Sequence, residues 1–196
     1  MFQKDRFLRK KSLTSVDRAW KDMAKTAKAQ LDQDEQKILD ELMKNSKQNI
    51  DRIAKNCGFS RQKAWRLIKQ LEARQMIWGY SVVVDAEKQH LQKFILFVKR
   101  TEFHHDSQAR EEIVGDLLAP IKKNLGITMV TSYRIHGEYD WIMIFTATDI
   151  LQAKKFAESI MQKYAEKQTI HISQVLFTTR ENYIVNPDLE KMKEFI

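Results

Sequence analysis

Residues 49–75 read NIDRIAKNCGFSRQKAWRLIKQLEARQ, and two helical stripes run through them. Ile50, Ile53, Ala54 and Cys57 recur at i, i+3, i+4 and i+7; after Gly58, the residues Ala64, Leu67, Ile68 and Leu71 repeat the spacing. The pattern predicts two short helices that share one small core. Gly58 can take the left-handed conformation that ends the first helix, and Ser60 can cap the second, which is the break a helix–turn–helix uses. With the apolar stripe inward, Arg61, Gln62, Trp65, Arg66 and Lys69 point out together. Arg61 and Lys63 fall in the first turn, where the helix dipole disfavours cations. Folding stability does not ask for them there, whereas an external polyanion would. The competing reading is an ordinary solvated cationic face on a two-helix hairpin.

The distribution of charge favours the polyanion. The chain of 196 residues carries a formal net charge of +8. Residues 1–80 hold 19 Lys and Arg against 10 Asp and Glu, a balance of +9; residues 81–196 hold 15 against 16, a balance of −1. A basic front half beside a near-neutral rear half suggests one polyanion-binding part and one part with a different task. The hydrophobic fraction of 43% supplies an ordinary globular core. No run reaches the length of a membrane span, and the start MFQKDRFLRKKS places charges where a signal peptide needs its apolar stretch, so a cytoplasmic protein with no membrane partner is expected. A single cysteine, Cys57, excludes an intramolecular disulfide and a multi-cysteine metal site, and its place on the stripe makes it a small core residue.

Around the central pair, five segments are expected. Residues 1–30 form a basic extension, with Arg6, Arg9, Lys10 and Lys11 ahead of a helix stripe at Val16, Trp20, Met23 and Ala27. Residues 31–80 form a winged helix–turn–helix. Its first helix begins with a capping box of Asp32 and Glu35 and buries Leu31, Ile38, Leu39 and Leu42; Met76 to Asp85, β-branched and aromatic around a glycine, follows as a strand or short wing. Residues 81–92 connect the halves. Residues 93–183 alternate as a strand at Phe94–Val98, a helix from Gln108 to Asn124, strands from Ile127 to Ile135 and Trp141 to Phe145, a helix from Asp149 to Ala165 and a strand from Ile170 to Thr179. That βαββαβ order is ferredoxin-like, an antiparallel sheet with two helices on one face. Asn186-Pro187 then opens a short tail helix in residues 184–196, with Leu189, Met192 and Phe195. The expected fold class is α+β.

Three stretches carry a family resemblance: LDQDEQKILDEL at 31–42, IAKNCGFSRQKAWRLIKQLEARQMIWGYSVVVD at 53–85, and HGEYDWIMIF at 136–145. In this order and spacing they resemble the Lrp/AsnC feast/famine transcriptional regulators over roughly Leu31 to Thr179. The sequence departs from that family at Gln75 and Met76, where a glycine and an apolar residue are usual, at Leu67, often an arginine, and at Leu91-Gln92, in place of leucine-glycine. Residues 1–30 exceed what the family normally carries.

The resemblance implies a regulator of transcription that binds double-stranded DNA as a homodimer or higher homo-oligomer and needs no metal or cofactor. The DNA-binding set is Ser60, Arg61, Gln62, Lys63, Trp65, Arg66 and Lys69. An α-helix fits the major groove, so Arg61, Gln62, Trp65 and Arg66 would meet base edges while Lys63 and Lys69 turn toward phosphates. Trp65 has a competing role as a packing residue under the wing. Gly137, Glu138, Tyr139 and Asp140 read from residues alone as a hairpin turn. In the family, this turn lies at a dimer–dimer contact and lines the effector site, which implies that backbone amides beside Asp140 hold an amino acid or similar small metabolite. Two other functions compete. One is an architectural DNA-coating protein without an effector. The other is an enzyme like the sirohaem decarboxylases, which resemble the same regulators but whose motifs are not evident in RQMIWGYS. No nucleophile elbow, HExxH or phosphate-cradling glycine loop is present, and the adjacent His104 and His105 would diverge in a strand, so no catalytic residues are expected.

Overall fold

The computed structural model describes residues 33–100, 118–163 and 168–195. The expected amino-terminal helix and basic arm, Leu31, Asp32, the adjacent histidines and the 108–117 part of the helix expected from Gln108 to Asn124 lie outside these residues. The chain divides into two compact units, the first ending at Ser81 and the second beginning at Val82.

In the first unit, α1 (Gln33–Lys44), α2 (Ile50–Cys57) and α3 (Arg61–Ala73) pack around the predicted stripes. Ile38, Leu42, Ile53, Ala54, Cys57, Ala64, Leu67 and Leu71 are buried, and Ile50, Leu39 and Ile68 close the rim. The helix ends follow from local chemistry. Asn49 Oδ1 accepts from the Arg52 amide at 2.8 Å and starts α2. Gly58, at φ 72° and ψ 32°, ends it, and the Phe59 amide donates back to the Ala54 carbonyl at 2.8 Å. Ser60 Oγ then accepts from the Lys63 amide at 3.2 Å to start α3.

At the far end of α3 the same closure recurs without glycine. Gln75 has φ 56°, its amide donates to the Glu72 carbonyl, and the Met76 amide donates to the Leu71 carbonyl, both at 2.9 Å. Glu35 has a role beyond the expected capping box, whose other member, Asp32, lies outside the described residues. Glu35 is buried at 6% exposure, and its carboxylate accepts from both terminal nitrogens of Arg74, at 2.6 and 3.3 Å. A forked, charge-assisted pair suits an inward-facing carboxylate.

The expected strand at Met76 to Asp85 does not form: among the described residues, no ladder includes it. β-branched residues favour a strand only where a neighbouring strand supplies hydrogen bonds and packing, and Trp78 is 96% exposed.

The second unit is the predicted antiparallel sheet. Strands β1 (Gln92–Arg100), β2 (Thr128–Arg134), β3 (Trp141–Ala147) and β4 (Gln168–Gln174) are ordered β2-β3-β1-β4, the split arrangement of a ferredoxin-like domain. Helices α4 (Ala119–Leu125) and α5 (Ile150–Lys163) contribute Ile121, Leu125, Ala153, Phe156, Ala157 and Ile160 to a core with Phe94, Leu96, Val98, Met143 and Phe145. Asp149 Oδ1 caps α5 through the Gln152 amide at 2.8 Å, and this bond holds its carboxyl below the usual range. Period-2 alternation sends Ile95, Phe97, Ile142 and Ile144 to the opposite face, where they are half-buried.

β4 begins and ends earlier than expected, because its register with β1 runs from Arg100↔Gln168 to Phe94↔Gln174. Beyond it, a small hairpin of β5 (Arg180–Glu181) and β6 (Ile184–Val185) turns at Asn182, with φ 51°. The tail segment Leu189–Phe195 is a 3₁₀-helix rather than an α-helix.

Candidate nucleic-acid interface and ligand-facing turn

α3 presents its outward residues as the stripe requires, and their surroundings divide them into two groups. Arg61, Lys63 and Lys69 are held by carboxylates within the unit. Arg61 Nη1 meets Asp51 Oδ2 at 2.6 Å, Lys63 Nζ meets Asp34 Oδ2 at 2.6 Å, and Lys69 Nζ meets Glu72 Oε2 at 2.7 Å. Lys63 Nζ also lies 4.3 Å from the centre of the Phe59 ring. The first-turn cations therefore do not depend on an outside anion: Asp34 and Asp51, themselves in the first turns of α1 and α2 where the dipole favours acids, offset them.

Gln62, Trp65 and Arg66 form the other group. All three are exposed, and no ion pair involves Arg66 among the described residues. Trp65 is 57% exposed, which overturns the reading of it as a packing residue. Ser60 is occupied by its capping bond. At the end of the unit, the Tyr80 hydroxyl donates to Glu72 Oε1 at 2.9 Å. Burial first, and that bond second, push Tyr80 up to about 12, while Lys69 and then Tyr80 hold the Glu72 carboxyl below the usual range.

The turn between β2 and β3 is closed by the Ile135 amide donating to the Asp140 carbonyl at 3.1 Å. Asp140 braces the sheet. Its amide donates to the Val98 carbonyl at 2.9 Å, and its side chain accepts from the Arg100 amide at 2.7 Å and lies 3.4 Å from Arg100 Nε. The amide of Asp140 itself is thus committed within the sheet. Gly137 has φ 157°, a conformation that side chains rarely adopt, so the backbone favours glycine there although a Cβ would meet no heavy atom within 4 Å.

Tyr139 turns onto the open sheet face. Its ring lies 5.1 Å from that of Phe97 and 6.0 Å from that of His171. Phe97 and His171 were not singled out from sequence; the alternation of β1 and β4 was the signal that places them beside the turn. Glu138 stands 3.8 Å from Lys99 Nζ. Among the described residues, no group of His, Cys, Asp and Glu is arranged to hold a metal ion, and no helix is long and apolar enough to cross a membrane.

Residues 31–77 match the family described as winged helix-turn-helix DNA-binding. An AsnC family transcriptional regulator from Agrobacterium tumefaciens superimposes with a TM-score of 0.61 at 19% identity, over 81% of this chain and 98% of its own. The chain has the fold of the AsnC/Lrp regulators. A leucine response regulatory protein from Mycobacterium tuberculosis is similar at TM-score 0.60 and 17% identity, over 78% of this chain and 97% of its own. A transcriptional regulator from Neisseria meningitidis, solved as its L-Met complex, reaches 0.61 and 21%, over 81% and 97%. A search of curated protein sequences gives no match. Within the AsnC/Lrp fold, the left-handed φ of Gln75 accounts for the glycine usual at that position in the family this sequence resembles.

Proposed function

We propose that this chain is a sequence-specific DNA-binding regulator of transcription, cytoplasmic and without enzymatic activity. The observation that carries the reading is the coincidence of two features on α3: the match to a winged helix–turn–helix DNA-binding family, and an outward face with Gln62, Trp65 and Arg66 exposed together. In this reading Arg66 and Gln62 hydrogen-bond to base edges in the major groove, and Trp65 packs on a thymine methyl or a sugar. Arg61, Lys63 and Lys69 reach phosphates by exchanging their carboxylate partners. The chain acts as a homodimer or higher homo-oligomer, supported by the row of Ile95, Phe97, Ile142 and Ile144 on the sheet face opposite the helices.

The effector is an amino acid or similar small metabolite at the turn of Gly137, Glu138, Tyr139 and Asp140. Asp140 serves there as a brace, and Glu138 and the remaining backbone amides meet the ligand. The L-Met complex of the Neisseria regulator supports the ligand class. The test is a genome-wide footprint with and without an amino-acid panel. Discrete sites that shift with one amino acid bear the reading out; continuous, sequence-blind coverage indifferent to the panel would make the protein a DNA coat instead.

A further inference from the structure

The second unit contains a cavity of about 900 Å³ that lies apart from the turn at Gly137 to Asp140. Its walls come from the segment around Val83 to Lys93, the end of β4, the β5–β6 hairpin and the tail 3₁₀-helix. Its size falls in the range of small-molecule sites. The apolar side chains around it remain open to solvent: Val84 is 53%, Leu176 60% and Ile184 41% exposed. Phe177 and Phe195 add a tilted ring pair with centroids 5.9 Å apart.

The charges on the walls restrict what can enter. Each lysine there already holds a carboxylate. Lys93, only 13% exposed, pairs with Glu181; Lys191 pairs with Glu87; and Lys88 lies 3.6 Å from Asp85. An incoming anion would have to break one of these pairs. The remaining wall carboxylate, Asp188, has no ion-pair partner among the described residues; its amide donates to Asn186 Oδ1 at 2.8 Å, which fixes the backbone that carries it. An aromatic pair and an unpaired carboxylate suit a cation on an apolar body.

We propose that this cavity is a binding site for an apolar or aromatic amine, with Asp188 receiving the ammonium group and the Phe177–Phe195 pair receiving the body. The site is independent of the effector turn and of DNA reading. It is tested on the full chain by calorimetry and amide chemical shifts with three probes of one shape: tryptamine, indole and indole-3-propionate. Tryptamine is expected to bind at least about tenfold tighter than indole-3-propionate, a difference of ~1.4 kcal/mol. The shifts are expected at residues 175–178 and 184–188, and Asp188→Asn should abolish the preference while leaving indole unchanged. Ile184→Trp, which narrows the cavity from the hairpin, should weaken all three. A preference for the acid, equal binding of acid and amine, shifts confined to residues 136–140, or no binding would each overturn the proposal. DNA affinity measured on the same sample separates its failure from that of the regulator reading.

Discussion

Replacing Asp51 by Asn should make the protein bind DNA more tightly. On the outward side of α3, Arg61, Lys63 and Lys69 are partnered by Asp51, Asp34 and Glu72, so with Arg66 the four cations present a net charge of one. The Arg61–Asp51 pair is open to water, with side chains 68% and 59% exposed. Such a pair stabilises the fold by only about 0–1 kcal/mol, and the lost acid in the first turn of α2 adds a similar small cost, so the variant should still fold. For binding, a cation must leave its carboxylate before it meets a phosphate. Freeing Arg61 should add about one full phosphate contact, steepening the slope of log K against log salt by ~0.9, which is roughly eightfold tighter binding at 0.1 M salt. Fluorescence anisotropy of a labelled duplex at several salt concentrations, with a thermal melt beside it, measures both quantities. A melt like that of the wild type with unchanged slope and affinity would show that Arg61 does not approach phosphates. Weaker binding would show that this side of α3 turns away from the duplex.

Two further expectations concern stability. Gln75→Gly should stabilise the first unit by roughly 0.5–1 kcal/mol in a urea melt, because a non-glycine residue at φ 56° carries a steric cost that glycine lacks. Tyr80 titrates above its ordinary value of 10, so the fold favours the neutral phenol; its contribution is fully present below pH about 10 and lost as pH rises through about 12. With 52% of the residue exposed, the bond to Glu72 is the part that a substitution isolates, and Glu72→Gln should lower the midpoint followed by phenolate absorbance.

What was legible in the sequence was what local chemistry decides. The stripes of α2 and α3, the glycine at position 58 and the Ser60 cap are set by neighbours within a turn or two, and the strands of the sheet by short runs of apolar and β-branched residues within each. What was not legible depends on partners far along the chain. Asp34 meets Lys63 and Glu35 meets Arg74, 29 and 39 residues apart, and these contacts gave the first-turn cation Lys63 a partner, and Glu35 a further role, that their positions alone did not suggest. Residues 76–85 carried the composition of a strand, yet among the described residues no ladder includes them. The β5–β6 hairpin was too short for alternation, and its one signal was Asn182 in the left-handed region, which asparagine tolerates.

The central claim is that the exposed face of α3 reads base pairs. The most direct test compares wild type and Arg66→Ala on a footprinted site, on that site with each base pair substituted in turn, and on random duplex, with a thermal melt for each protein. The account expects unchanged melting, a loss of about 1–3 kcal/mol on the specific site, and relaxed preference at one base pair of each half-site, with binding to random duplex little altered. Equal affinities of the two proteins for the specific site, with the preference at every position intact, would contradict it and place the reading surface elsewhere in the molecule.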